Sequence, residues 1–364
     1  MTTLEPAITL PRCAPSGRTM KALMKTRAGV GNVELVDVPE PACPSDGVKV
    51  DVRFTGICGT DLHVYHDRFR SYPPVILGHE FSGVVVETGA AIRTVEPGAR
   101  VAVLGSTAVS CGRCEHCRQG YYMFCTVRRG MGHGVSGSFT RYVVVREDQV
   151  YPLPGDVSFE EGAVCEPFAS AVQAVDELAA PQAGDVALVS GPGPIGLLCA
   201  MLLAARGCRV LVAGTGEDRA RLDVAGRIGV DRAIDVSRED LAAVVDEATG
   251  GRGADIVVEA AGAAASAAAC LHAARSRGVY IQVGIHGRDI TLPIDLVLYK
   301  QLRWYGSLGH SLQTWDRVMR IVGQHRVDLR AVVTHTMPLS RWREAFDLCE
   351  SKQAVKVLLH SDEA

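Results

Sequence analysis

The stretch Val186-Ala187-Leu188-Val189-Ser190-Gly191-Pro192-Gly193-Pro194-Ile195-Gly196 decides how this 364-residue chain is read. Val186–Ser190 has the pattern of a buried strand. The next six residues spell G-x-G-x-x-G, and the apolar run to Arg206 reads as a helix. A glycine motif between a strand and a helix is specific for a dinucleotide, where the motif alone is weak. Gly191 permits the tight turn. Gly193 lets the backbone approach a pyrophosphate, and Gly196 lets the helix pack close to the sheet. Pro194 and Ile195 open that helix, whose first amides and partial positive charge would face the phosphates.

Working toward the C-terminus, strand and helix patterns alternate. Arg209–Ala213, Ala233–Val236, Ala254–Ala260 and Val279–Val283 read as strands. Asp218–Ile228, Leu241–Ala248 and Ala264–Arg275 read as helices. This spacing predicts an α/β unit with a doubly wound parallel sheet. An NAD-binding unit carries an acid at the end of its second strand, to hold the ribose 2′-hydroxyl. Here Ala213-Gly214-Thr215-Gly216 has none, and Gly214 stands in its place. The missing carboxylate removes repulsion against a 2′-phosphate. Thr215 could hydrogen-bond that phosphate, and Arg219 or Arg221 could pair with it. The opposing reading has Glu217 or Asp218 reach the hydroxyl, with both arginines solvated. The reading favours NADP. A further glycine-bearing strand, Ile281-Gln282-Val283-Gly284, is expected to bring the backbone of Val283 and Gly284 to the nicotinamide carboxamide.

Working toward the N-terminus, Val33–Val38, Val48–Phe54, Phe81–Thr88 and Arg100–Val103 are short β-rich runs punctuated by Pro and Gly. A mostly β domain is expected here. The tail from about Trp315 is mixed and is expected to pack back on it. Met1–Thr19 reads as a loose extension with no apolar core of a secretory signal. No apolar run reaches the roughly 18 residues that span a bilayer. The net charge of −3 gives no reason to expect nucleic acid or an anionic membrane as partner. A cytoplasmic protein is the expectation.

The chain holds 12 cysteines, many for a compartment where disulfides are rare. Four of them, Cys111, Cys114, Cys117 and Cys125, form C-x2-C-x2-C-x7-C within residues 108–128. Four thiolates on a short loop can close a tetrahedron around Zn²⁺, and a site so filled is structural. A second constellation is spread wider. Gly56-Ile57-Cys58-Gly59-Thr60-Asp61-Leu62-His63 ends a β run, Gly78-His79-Glu80 begins another, and Cys165-Glu166-Pro167 closes the β-rich region. Cys58, His79 and Glu166 or Glu80 supply sulfur, nitrogen and oxygen. Three protein ligands and one open position describe a catalytic zinc.

Taken together and in order, these motifs resemble the zinc-dependent medium-chain dehydrogenase/reductase superfamily, nearest to its polyol and threonine dehydrogenase branch. The resemblance runs from about Met20 to the C-terminus. It implies a GroES-like catalytic domain from residues 20–167 and 308–364, and a Rossmann cofactor domain from 168–307, with the active site between them. It implies one catalytic and one structural Zn²⁺, NAD(P), and a homo-oligomer, either a tetramer or a dimer, with the strand near Arg303–Ser307 in sheet-to-sheet pairing. By position, Cys58 and His79 are catalytic zinc ligands. Glu166 is favoured as the third over the adjacent Cys165, and Glu80 is either a ligand or a close carboxylate. Asp61 would orient the histidine ligand, Thr60 would relay the substrate proton, and His63 would pass it to solvent. The substrate is expected to be a secondary alcohol or ketone of the polyol, sugar or cyclitol kind. Ile57, Tyr65, Phe69 and Phe168 are expected to face it. No convincing pair of groups for an amino acid's ammonium and carboxylate is found, which disfavours the threonine branch.

Overall fold

A computed structural model of the chain describes residues 17–362. Residues 1–16, most of the expected extension, lie outside the described residues. A strand, Thr19–Lys25, begins at the extension's last residue.

Six parallel strands form one sheet. Their order is Arg232–Asp235, Arg209–Gly214, Val186–Ser190, Ala254–Glu259, Ala274–Gln282 and Arg303–Gly306. The winding reverses between Val186–Ser190 and Ala254–Glu259, so a crevice opens at the carboxyl ends of these two strands. Every residue of both is buried, which is why Val186–Val189 and Ile256–Val258 are continuous apolar runs without alternation. The helices Pro194–Ala205, Arg219–Arg227, Leu241–Thr249 and Ala264–Ala273 make the crossovers. The last stops at Ala273, two residues short of the Arg275 expected, because the chain enters the next strand at Ala274.

A seven-stranded sheet occupies the other half. Val333–Pro338, Lys356–His360, Gly47–Gly56, Glu80–Thr88, Arg100–Leu104 and Val150–Pro152 follow in that order, and Tyr142–Arg146 also pairs with Gly47–Gly56. Two of these strands come from the C-terminal tail. One of them, Lys356–His360, lies antiparallel to the end of Gly47–Gly56. A three-stranded sheet of Val33–Pro39, Thr19–Lys25 and Val75–Ile76 completes this half. The whole is a mixed α/β architecture with a GroES-like β half and a Rossmann-like sheet.

The helix Phe159–Val172 joins the two halves. Ser158 caps it: the Ser158 hydroxyl accepts from the Glu161 amide at 3.2 Å, and the Glu161 carboxylate accepts from the Ser158 amide at 2.9 Å. Wider π-type turns continue it through Gln173–Ala179, and it ends where Ala180 turns left-handed at φ +50°. One apolar core runs from Ala102 and Leu104 through Phe168 and Val172 of this helix to Leu197 and Leu202, and on to Trp315 and Val318. Phe168 is therefore core, and does not face the substrate as the sequence reading expected. Tyr65 also packs inward, edge-on to Trp342 and Phe346.

Candidate metal and dinucleotide site

Cys58 stands where the strand Gly47–Gly56 gives way to a short helix, Gly59–Tyr65, that the sequence reading did not anticipate. Asp61 makes the turn. One carboxylate oxygen accepts from the Cys58 amide at 2.9 Å and the other from the Gly78 amide at 3.0 Å. This buried acid thus ties together the two segments that carry Cys58 and His79. Gly78 has φ +87°, and a Cβ there would collide with the Phe139 ring and lie 2.8 Å from the Ser138 hydroxyl. No other residue fits the turn that presents His79.

The donor atoms of Cys58, His79 and Glu80 lie within 4.8 Å of one another. His79 Nδ1 is buried without a hydrogen-bond partner and sits 4.0 Å from Asp61 Oδ1. Burial alone would lower the His79 imidazole. The charge of the Cys58 sulfur and its hydrogen bond, with Asp61 and Glu166, instead raise it well above its ordinary range. Sulfur, nitrogen and carboxylate donors converge here on one point that favours positive charge, so the residues fit a zinc ion. Thr60 Oγ1 lies 3.8 Å from Cys58 Sγ, and His63 is exposed one turn further along the same helix face.

The two carboxylates have separate attachments. Glu80 is buried and receives Lys356 Nζ at 2.6 Å. That ammonium also donates to the Ile57 carbonyl at 3.0 Å. Glu166 belongs to the joining helix. It is not among the donors grouped within 4.8 Å, and its Oε1 accepts from His310 Nε2 at 3.3 Å. Burial would raise the Glu166 carboxyl, but the hydrogen bond from His310 and the nearby His79 and Ser106 hold it down at about 2. Cys165 is a core thiol that donates to the Glu161 carbonyl at 3.4 Å. Sequence reasoning passed over Lys356 and His310, which carry no motif and join the site from far along the chain.

In the cysteine lobe, the sulfurs of Cys111, Cys114, Cys117 and Cys125 also lie within 4.8 Å of one another. The amides of Cys111, Cys114 and Cys117 donate to the sulfurs of Cys125, Cys111 and Cys114 at 3.3, 3.3 and 3.4 Å. Backbone hydrogen bonds from Arg113 and Cys114 bring the Cys111 thiol down to about 6, while burial and its neighbours push Cys117 up to about 12. Four sulfurs this close cannot all ionise unless a cation sits among them, and the set fits a structural zinc.

At the crevice, Gly191 has φ +108°, and its amide donates to the Ala213 carbonyl at 2.8 Å. A Cβ would lie 2.5 Å from the Ala261 amide nitrogen. Gly193 caps the helix with Pro194 following, no side chain satisfies the first turn, and nothing stands within 4 Å of a Cβ built on Gly193. The amides of Ile195 and Gly196 are therefore available to a phosphate. A Cβ at Gly214 would meet Pro192 at 2.8 Å and Asp218 at 3.2 Å, so no side chain fits where the acid was sought. Thr215 Oγ1 donates to Asp218 Oδ2 at 2.8 Å, and Lys352 lies 3.5 Å from the other oxygen. Arg219 is exposed. Arg221 donates to the carbonyls of Ala354 and Cys349 at 2.9 and 3.1 Å, so it ties the tail down and is neither solvated nor turned to a ligand. The amides of Val283 and Gly284 both donate to the Glu259 carbonyl, at 2.9 and 2.8 Å. They are spent within the fold and leave the Val283 carbonyl as the remaining backbone acceptor there.

Comparison with known proteins bears directly on this arrangement. Residues 44–155 match the alcohol dehydrogenase GroES-like domain, and residues 194–324 match the zinc-binding dehydrogenase family. A sorbitol dehydrogenase from Halalkalibacterium halodurans is 36% identical over 341 residues, covering 93% of this chain and 99% of that protein. A D-arabitol-phosphate dehydrogenase from Enterococcus avium is 34% identical, covering 95% of this chain and 98% of that protein. A zinc-binding dehydrogenase from Sinorhizobium meliloti 1021, solved bound to NADP, superposes with a TM-score of 0.84 at 31% identity. It covers 94% of this chain and 99% of that one. A fold shared over nearly the full length, with identity above three in ten, makes this chain a dehydrogenase of the zinc-dependent medium-chain dehydrogenase/reductase family.

Proposed function

We propose that the chain transfers a hydride between NAD(P) and a secondary alcohol or its ketone, with a polyol, sugar or cyclitol as substrate class. The observation that carries this reading is the convergence of Cys58, His79 and Glu80 on one point within 4.8 Å. Cys58, His79 and a carboxylate from Glu80 or Glu166 would hold the zinc. When bound, the zinc acidifies the substrate hydroxyl and the nicotinamide takes or returns the hydride. The chain's own residues do the rest. Asp61 holds the two ligand segments in register. The Thr60 hydroxyl accepts the substrate proton while releasing its own toward His63, which meets solvent. The GroES-like half, 20–167 with 308–364, would carry this chemistry, and 168–307 would carry the dinucleotide.

NADP is the favoured cofactor, because no carboxylate occupies position 214 itself and Arg219, a few residues further along the chain, is exposed. A homo-oligomer formed at the edge strand Arg303–Gly306 is supported by the exposed apolar side chains of Ile294, Leu298 and Tyr299, which shortly precede that strand in the chain. Among the described residues no helix is long and apolar enough to cross a membrane, and all 11 cysteines are free, which supports a reducing cytoplasmic setting. A panel of secondary alcohols and polyols, scored by nicotinamide absorbance with each cofactor, tests the reading. Oxidation of a substrate with neighbouring hydroxyls, faster with NADP, is expected. Silence across the panel with both cofactors would refute it.

A further inference from the structure

We propose that His310 is a positioning residue for the zinc site, acting through Glu166 and itself held in one tautomer by Trp315. This rests on the reading of Glu166 as a carboxylate of that site.

His310 lies just past the last strand of the parallel sheet and just before Ser311, which caps the helix Leu312–Gly323. Its ring is sealed from solvent, with a side-chain exposure of 1%, beside a Glu166 side chain at 7%. The indole Nε1–H of Trp315 donates to His310 Nδ1 at 3.0 Å. An indole nitrogen can only donate, so Nδ1 must present its lone pair. The hydrogen of the neutral ring is then on Nε2, which points to Glu166 Oε1 at 3.3 Å and to Ser106 Oγ at 3.2 Å. The Ser106 hydroxyl also hydrogen-bonds the carboxylate. Two donors from separate segments thus hold Glu166. The same assignment removes His310 as a metal ligand, because the nitrogen turned toward the site has no lone pair to give.

The support behind His310 is rigid. Trp315 is fully buried and stacks on Tyr151, with ring centroids 4.8 Å apart and planes at 26°. Thr314 fastens the start of the helix to the joining helix, donating to Glu177 Oε1 at 2.8 Å with Gln173 Oε1 at 3.2 Å. The chain of contacts Tyr151, Trp315, His310, Glu166 therefore ends on a carboxylate that cannot swing freely. Groups that orient a ligating side chain in this way commonly contribute 10–100-fold to metal affinity.

The test measures Zn²⁺ affinity of the full chain, with the cysteine lobe loaded, by competition with a chromophoric chelator. His310→Ala is expected to weaken binding about 10–100-fold, and His310→Gln, which keeps an N–H donor, to restore most of it. Trp315→Phe keeps the stacking and frees the tautomer. It is expected to weaken binding several-fold, and it serves should the alanine variant fail to fold. Glu166→Gln is expected to weaken binding on its own, and Glu166→Gln/His310→Ala no further than Glu166→Gln. Unchanged affinity in His310→Ala, or in Trp315→Phe where the alanine variant does not fold, overturns the positioning role. Additive losses in the double variant do the same. A loss in Glu166→Gln with none in His310→Ala overturns that role alone and leaves the ligand reading standing. Unchanged affinity in Glu166→Gln overturns the ligand reading and the proposal together.

Discussion

Lys356 Nζ lies 2.6 Å from Glu80 Oε2, and neither side chain exposes more than 2% of its surface. The pair joins the first residue of one strand to the first residue of a strand 276 positions away, and the ammonium also donates to the carbonyl of Ile57, the residue before Cys58. Gly56 faces Glu80 across the sheet, and a side chain there would collide with its carboxylate. Removing one partner of a buried pair leaves a charge with neither water nor a counter-ion. Lys356→Met should therefore lower unfolding free energy by about 3–5 kcal/mol in denaturant titrations of protein whose Cys58 site holds no metal. Glu80→Gln/Lys356→Met should recover a large part of it. Equal stability in Lys356→Met and wild type would show that the pair is not closed in solution.

The cysteine lobe is a site of its own. Cys117→Ser should lower the zinc content from two ions per chain to one while the site at Cys58 keeps its metal. It should also open residues 111–125 to proteolysis before the rest of the fold yields. Metal analysis with limited digestion checks this, and a variant that keeps both ions would contradict the assignment.

Gly214 tests the cofactor pocket. An aspartate placed there has its Cβ 2.8 Å from the Pro192 ring, inside the turn that faces the phosphates. Overpacking of this kind costs about 1–3 kcal/mol. Gly214→Asp should raise KM for NAD and NADP alike by about tenfold or more, from the turn's distortion. A clean switch to NAD with unimpaired affinity would show the space is open.

His133 gives the fold a pH signature. Burial, with His79 and Arg128 nearby, lowers its imidazole from the ordinary 6.5 to about 4. Between these values the unfolded chain binds the proton and the folded chain does not. Stability is therefore complete above about 6.5 and falls as pH drops toward about 4. Glu166, also lowered in the folded chain, contributes with the same sign in a lower window, as pH falls from 4.5 toward about 2. His133→Gln should flatten the stability profile between pH 6.5 and 4 in the zinc-loaded protein. An unaltered slope there would contradict a neutral, buried His133.

The parts legible in sequence were those whose physics is local. A strand, three glycines and a helix follow one another in Val186–Gly196, and their reading needs no distant partner. Four cysteines within 15 residues announce a metal in the same way. Choosing between Glu80 and Glu166 was not local, because Lys356 and His310 attach those carboxylates across 276 and 144 positions. Arg221 reads from sequence as a partner for a 2′-phosphate or as a solvated helix residue, and it is neither, because the tail's carbonyls come to it from far along the chain. Phe168 sits beside the Glu-Pro motif, yet the helical turn carries it into the core. A lone histidine such as His310 has no spacing signature; only the fold puts an indole on one of its nitrogens and a carboxylate on the other.

The most direct measurement is the zinc content and hydride transfer of Cys58→Ala. The sulfur of Cys58 meets His79 and Glu80 at the point where the substrate oxygen would be activated. One zinc per chain, retained in the lobe, with NAD(P)-linked turnover abolished and the fold intact, is the predicted result. Turnover at the wild-type rate in a chain that has lost that ion would contradict the account.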